Sequence, residues 1–271
     1  MDYFAFLKKS TLDIFRNYRR IWSLALFEYK RAYQDMFLGN LWKFLSPCVQ
    51  IGVYWFVFGI GLRQGRDVAG YPFVVWLTCG VSAWFTASQC VSTGAASIYR
   101  KARLLTKSNI PTVLIPVSAV LSVILNNIWT VLIVIIVFVG NGCTLTVYAF
   151  NLLYYLVFLF CFSCALAFVT SVFVMLARDF QRVVQMIMRF LFFLSPVFWD
   201  RKDNMPALFL TFDSLNPFGY IIRGFRGSML YHTPFWHDTK SLLIFWGMTI
   251  GLYLLGIGLQ RKLRSNILDY L

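Results

Sequence analysis

The sequence predicts an all-α integral membrane fold: six transmembrane helices, an N-terminal amphipathic interfacial helix, and short re-entrant helices between spans 5 and 6. Three observations lead there. Of 271 residues, 59% are hydrophobic and 13% charged, with a mean hydropathy of +0.67, more apolar surface than one water-soluble core absorbs. The charged residues lie between long uncharged stretches, of which Ser108 to Ala177 is the longest. The length gives room for about six crossings of roughly 20 residues each and leaves little for a separate soluble domain.

The elements follow in order. Residues 1–43 form a cytoplasmic amphipathic segment, 44–260 the six-helix domain and 261–271 a cytoplasmic tail. In the first, Phe4, Leu7, Thr11, Ile14, Tyr18 and Ile21 recur at spacings of three and four, with Lys8, Lys9, Arg16 and Arg20 on the other side, as on a helix lying on a membrane surface. A solvated helix packed on a partner fits the same pattern, and both readings can hold together. Met1 to Trp22 has no continuous apolar core and no small-residue cleavage site, so no cleaved signal peptide is predicted. The spans are expected at about 44–62, 71–93, 113–139, 151–177, 183–199 and 241–260. Gly140-Asn141-Gly142 divides the longest uncharged stretch into the third and fourth.

The net charge of +14 comes from residues spread between spans and not gathered in one patch, which speaks for membrane topology and against nucleic acid. The N-terminal arm, the 100–107 loop, the 178–189 segment and the C-terminus hold 18 of the 25 Lys and Arg. That side is expected to be cytoplasmic, with both termini on it. The segment from Asp200 to Lys240 is then external. Its apolar runs, Ala207 to Phe212 and Phe218 to Leu230, are too short to span and read as re-entrant or interfacial. Asn216 before Pro217 has the form of an N-cap followed by a first-turn proline. The six cysteines sit mostly in apolar runs and read as small buried hydrophobes, so no metal site is expected.

A resemblance then covers essentially the whole chain. Leu38-Gly39-Asn40-Leu41-Trp42 followed by Pro47, Gly80 with Trp84 and Phe85, and Leu105-Thr106-Lys107-Ser108-Asn109-Ile110-Pro111 fall in the order of ABC exporter permeases for polysaccharides and teichoic acids. Arg178-Asp179, Leu194-Ser195-Pro196, Asn216-Pro217 and Arg223-Gly224 complete the pattern. Within the family, Gln50 to Arg66 looks most like the permeases for wall teichoic acid. Ile110 departs from the Phe that other members tend to have there. The resemblance implies a homodimer with two copies of a cytoplasmic ABC ATPase, moving a lipid-diphosphate-linked polymer across the plasma membrane to the cell wall. O-antigen or capsule polysaccharide is the alternative cargo.

The residues give their own support. No G-x-x-x-x-G-K-[ST] loop is present, so the chain is no ATPase and no cofactor is expected on it; ATP and Mg would be held by the partner. Arg100, Lys101, Arg103, Lys107, Asn109 and Pro111, with Arg178 and Asp179, are the candidates for ATPase coupling, and a merely topogenic basic loop or a local ion pair is the plainer alternative. Arg19, Arg20, Lys30 and Arg31 would meet a diphosphate headgroup and anionic lipids. Gly39 would let two backbones approach closely, and Trp42 would anchor at the interface. Tyr54, Trp55, Trp76, Trp84, Phe85 and Trp199 offer ring faces on which sugars stack in a channel, although helix packing or lipid contact suits many of them as well. Arg189, inside an apolar span, either lines that channel or snorkels. Ser195, Pro196, Asn216, Pro217 and Arg223 would form an outer gate. Two rivals stand beside this reading. An ion-coupled carrier lacks its usual mid-membrane carboxylate, and a membrane transferase would have to use Asp200, Asp203, Asp213, His232, His237 or Asp238, which show no ligand spacing.

Overall fold

The chain is seen in a computed structural model that describes residues 3–34, 36–62, 66–107, 110–200 and 206–266. Among these residues five helices are long and apolar enough to cross a membrane: Gly39–Gly61, Phe73–Arg100, Leu114–Gly140, Val147–Leu176 and Thr239–Lys262. They are built on α3 (Trp42–Tyr54, running on as a π-helical stretch over Trp55–Leu62), α4 (Phe73–Arg100), α6 (Leu114–Gly140), α7 (Asn151–Leu176) and α11 (Thr239–Asn266). α4 and α7 sit at the centre, most of their residues buried, whereas α3 and α11 are peripheral. Small residues set the central crossing: a Cβ on Gly94 would lie 2.7 Å from the Ala167 Cβ. Buried hydroxyls of α4 bond back to their own helix, Thr78 to the Val74 carbonyl at 2.6 Å and Thr86 to that of Ser82 at 2.8 Å, since hydrocarbon offers them no other partner.

The N-terminal segment is two helices, α1 (Tyr3–Arg16) and α2 (Tyr18–Arg31), not one. The break falls at Asn17, whose backbone leaves the helical region at φ −102° and ψ 24° and whose side-chain amide donates to the Asp13 carbonyl at 2.8 Å. α1 lies on α11, with the Tyr3 hydroxyl on the Leu254 carbonyl at 2.7 Å and Thr11 on Tyr253 at 2.8 Å, and α2 lies on α6. Phe6, Ile21 and Ala25 pack on the bundle, while Phe4, Phe15, Tyr18 and Trp22 are exposed apolar surface. Phe4 and Tyr18 are thus not on the packed stripe, where the spacing had grouped them.

The expected fifth span, 183–199, is a shorter element. α8 covers Phe180–Leu194, about 22 Å at 1.5 Å per residue, against a hydrocarbon core of about 30 Å. Ser195 ends it because a residue before proline is driven into the extended region, and its φ is −80° with ψ 153°. α9 (Ala207–Leu215) and α10 (Pro217–Arg226) follow, and Gly227–Tyr231 continues α10 as a π-helical turn. Asn216 caps α10 as expected: its Oδ1 accepts from the Phe218 amide at 3.0 Å, with Pro217 in the first turn. α10 runs antiparallel to α4. At its start Phe218 meets Trp84, midway along α4, and at its end Arg226 meets Trp76, near the start of α4. The chain therefore dips into the bundle and comes back to the same end, which is the re-entrant geometry.

Candidate functional site

α2 and the short α5 (Ala102–Lys107) mark a basic end of the bundle; the 66–72 and 141–150 loops lie at the far end. The chemistry divides between the two ends and one face joining them.

At the far end Arg226 is 2% exposed. Its guanidinium donates to the Pro196 carbonyl at 2.6 Å and the Val197 carbonyl at 2.7 Å, and lies 3.3 Å over the Trp76 ring. Gly80 makes room for it, because a Cβ there would fall on the guanidinium. The Trp76 indole in turn donates to Tyr231 at 3.1 Å. One side chain thus pins α10, the turn after α8, and α4 together. Beside it Asn216 donates to the Ser195 hydroxyl at 2.8 Å. The fully buried Asp213 carboxylate pairs with Arg223. Ser195 is hydrogen bonded to Asn216, Pro196 is held in the latch centred on Arg226, Arg223 pairs with Asp213, and Pro217 sits in the first turn of α10. The sequence offered a signal for that residue: an arginine inside an apolar run too short to span, which membrane energetics marks as functional or paired.

At the basic end Glu28 of α2 pairs with Lys101 and accepts from the Ser122 hydroxyl at 2.9 Å. Lys101 also donates to Ser118 at 3.3 Å. This cluster ties the amphipathic arm to the start of the α5 segment and to α6. Glu28→Gln is expected to cost about 1–2 kcal/mol, since charge-assisted bonds of a mostly buried carboxylate weaken to neutral ones. Thermal unfolding in detergent should show the loss, and Glu28→Gln/Lys101→Met should cost less than the two single losses together. Nearby, the Lys43 ammonium sits 3.4 Å over the Tyr29 ring and donates to the Tyr29 carbonyl at 3.1 Å. The Trp129 indole bond, and then the Lys43 charge, hold the Tyr29 phenol below its usual pKa against the opposing effect of burial.

Between the ends three recesses adjoin. A cleft of about 750 Å³ at the basic end is lined by Arg31, Arg100 and Lys101. It shares Tyr33, Gln89 and Asn126 with a chamber of about 230 Å³ between α3, α4 and α6. That chamber shares Phe85, Ser88 and Ser92 with a recess of about 380 Å³ bounded by Tyr54, Trp84, Gln185 and Arg189. Ser46, Gln50, Gln89, Gln185 and Arg189 are exposed along this face.

The profile of the ABC-2 type transporter family matches residues 19–230 of this chain. The chain belongs to that family. Among the relatives of this ABC-2 protein is the O-antigen export system permease protein RfbA of Myxococcus xanthus, 26% identical over 214 residues, which span 78% of this chain and 80% of RfbA. The protein of the same name from Klebsiella pneumoniae is 23% identical over 245 residues, 89% of this chain and 91% of its own.

Tyr54, Trp84, Phe85 and Arg189 share one recess, with Arg189 hydrogen bonded weakly to the Gln185 carbonyl at 3.4 Å. Trp76 does not line it: fully buried and covered by Arg226, it is part of the latch. Trp55 points elsewhere and is 39% exposed, and Trp199 packs on Phe209 with its indole on the Phe193 carbonyl at 3.3 Å. Of the headgroup cations, Arg31 reaches the basic cleft together with Arg100; Arg19, Arg20 and Lys30 stay on the outer surface of α2. Gly39 meets no close backbone within the protomer. A Cβ there would touch nothing within 4 Å, and the demand for glycine is its φ of +48°. Trp42 is half-buried at the start of α3. Lys101 is engaged by Glu28, leaving Arg100 as the exposed cation before α5. Arg103 and Lys107 lie on the α5 backbone, and Asn109 falls outside the described residues. Pro111 opens the turn into α6, its carbonyl accepting from the Leu114 amide at 3.0 Å. Arg178 lies 5.0 Å over the Tyr99 ring, and Asp179 faces Arg182 at 3.8 Å in an exposed pair. Arg178 and Asp179 thus have separate partners. Sequence reasoning passed over Glu28, Lys43 and Arg226, and named Asp213 only for the rival transferase.

Proposed function

We propose that this chain is the membrane subunit of an ATP-driven exporter of a lipid-linked polysaccharide. The observation that carries the reading is the polar face running from the Arg31–Arg100 cleft past Gln89 to Arg189. Exposed amides, hydroxyls and a guanidinium on membrane helices are costly against lipid and favourable beside a hydrated, hydroxyl-rich cargo. Tyr54 and Phe85 along it add ring faces suited to sugars, whereas Trp84 is buried against Phe192 and Phe218.

In this reading the basic end is cytoplasmic, as the Lys and Arg distribution favours, and the membrane is the plasma membrane. The polar face lies in a homodimer, closed by a second copy. A cytoplasmic ABC ATPase docks against α5 and the exposed Arg100 and Arg178, holding the ATP and Mg this chain has no loop for. Nucleotide-driven closure shifts α5, the Glu28–Lys101 cluster passes the motion to the amphipathic arm, and the Arg226 latch gates the far end. The two RfbA relatives favour an O-antigen type of glycan. Teichoic acid is the second reading, supported by the Gln50 to Arg66 segment.

Co-expression with its ATPase tests the assignment. The expected result is a complex with two copies of each subunit, whose ATP hydrolysis rises several-fold with its polyprenyl-linked glycan, and an Arg100→Glu/Arg178→Glu variant that loses the ATPase on purification. A chain that purifies alone from such cells, with no ATPase bound, contradicts it. Adding polyprenyl-linked O-antigen and teichoic acid in parallel separates the two cargo readings.

A further inference from the structure

The 230 Å³ chamber between α3, α4 and α6 borders the aromatic recess at Phe85 and is otherwise lined mostly by polar groups. Neutral hydrogen-bonding groups surround one cation, Lys43, which is 4% exposed. Asn127 is fully engaged, donating to Gln89 Oε1 and the Val123 carbonyl, each at 3.0 Å, and accepting from Thr130 at 3.2 Å. Two other polar atoms are not. The Ser82 hydroxyl, on a residue 1% exposed, and the Asn126 Oδ1 are buried without a hydrogen-bond partner. Each such atom is unfavourable unless something in the chamber meets it. Lys43 spends one hydrogen on the Tyr29 carbonyl and one face on the Tyr29 ring, and an ammonium has three donors.

We propose that this chamber binds one phosphorylated sugar unit, its phosphate against the Lys43 ammonium and its hydroxyls against Ser82, Gln89 and Asn126. A single cation suits one phosphate and not a longer polyanion. The mixture of amide and hydroxyl groups suits the donors and acceptors of a sugar ring, and an apolar ligand would leave Ser82 and Asn126 unmet. The volume is below the about 300 Å³ at which pockets for larger ligands begin, room for one ring. The open side, at Gln50 and Gln89, joins the polar face, so each unit of a passing chain can enter and leave. The inference rests on the glycan-export reading, and its test uses neither ATP nor the ATPase, so the two stand or fall separately.

The full chain is placed in lipid nanodiscs with a photoreactive benzoylphenylalanine at position 88, and a second preparation carries it at position 50. Three sugar-tritiated probes are irradiated with each: N-acetylglucosamine 1-phosphate, polyprenyl-diphosphate-linked N-acetylglucosamine, and N-acetylglucosamine itself. Labelling by the soluble phosphate should exceed that by the bare sugar about tenfold, and Lys43→Met should lower it by about the same factor while Lys43→Arg retains most of it. If both phosphorylated probes label, the chamber takes any sugar phosphate of the polymer; if only the lipid-linked one labels, it takes the phosphate of the lipid linkage. Equal labelling with and without Lys43, or by sugar and sugar phosphate alike, overturns the proposal. Should Lys43→Met fail to elute as a single species, competition by inorganic phosphate against chloride decides, and undiminished labelling counts against the site.

Discussion

Arg226→Met is expected to abolish export and to remove most of the stability of the far end. The substitution strips two buried carbonyls, those of Pro196 and Val197, of donors now at 2.6 and 2.7 Å. It also uncovers the Trp76 ring. Each orphaned carbonyl costs about 1–3 kcal/mol, so the total is on the order of 4 kcal/mol, a large share of the 5–15 kcal/mol that typically separates folded from unfolded. Arg226→Lys should recover little, because one ammonium cannot serve both carbonyls and cover the indole as a planar guanidinium does. Gly80→Val reaches the same clip from the other side, by filling the space the guanidinium occupies. Its effect combined with Arg226→Met should therefore be far from additive. Melting curves in detergent, with export measured in cells, check both statements; full export by Arg226→Met would mean that the latch is not needed.

The second large effect is expected at the neighbouring pair. Arg223→Met leaves the Asp213 carboxylate, whose side chain is 0% exposed, without its guanidinium. Breaking a buried pair from one side costs about 3–5 kcal/mol, whereas replacing both partners with apolar groups is often close to neutral. Arg223→Met/Asp213→Leu should accordingly melt well above Arg223→Met alone. If the gate needs the charges as such, export stays low in that double variant even though stability returns. A double variant no more stable than the single one would show that the pair does not hold α9 to α10.

What the sequence revealed and what it hid follow from the range of the forces involved. Asn216-Pro217 announced its helix because a cap and a first-turn proline act on their own neighbours. Gly140-Asn141-Gly142 marked the turn after α6 for the same reason, Gly142 standing at φ +74°. Ser195-Pro196 carried its own stop, and the fifth span was drawn too long because apolar residues run past it to Trp199. The latch was not legible, since Arg226 lies 150 residues from the Trp76 it covers and only packing brings them together. Glu28 and Lys43 were passed over in the same way, among the many charges of the arm; their partners are Lys101 just after α4, Ser122 on α6 and Tyr29 on α2 itself. Trp76 was misassigned because an aromatic at a span looks the same in sequence whether it faces a channel or a buried guanidinium.

In the proposed function this chain forms a path along which cargo is moved by work done outside it. The direct measurement is translocation of a polyprenyl-linked glycan in sealed vesicles containing the chain with its ATPase, compared with vesicles in which that ATPase binds ATP and cannot hydrolyse it. Transport is expected in the first and none above protein-free vesicles in the second. Equal transport in both, or transport by the chain alone, would contradict the proposed function.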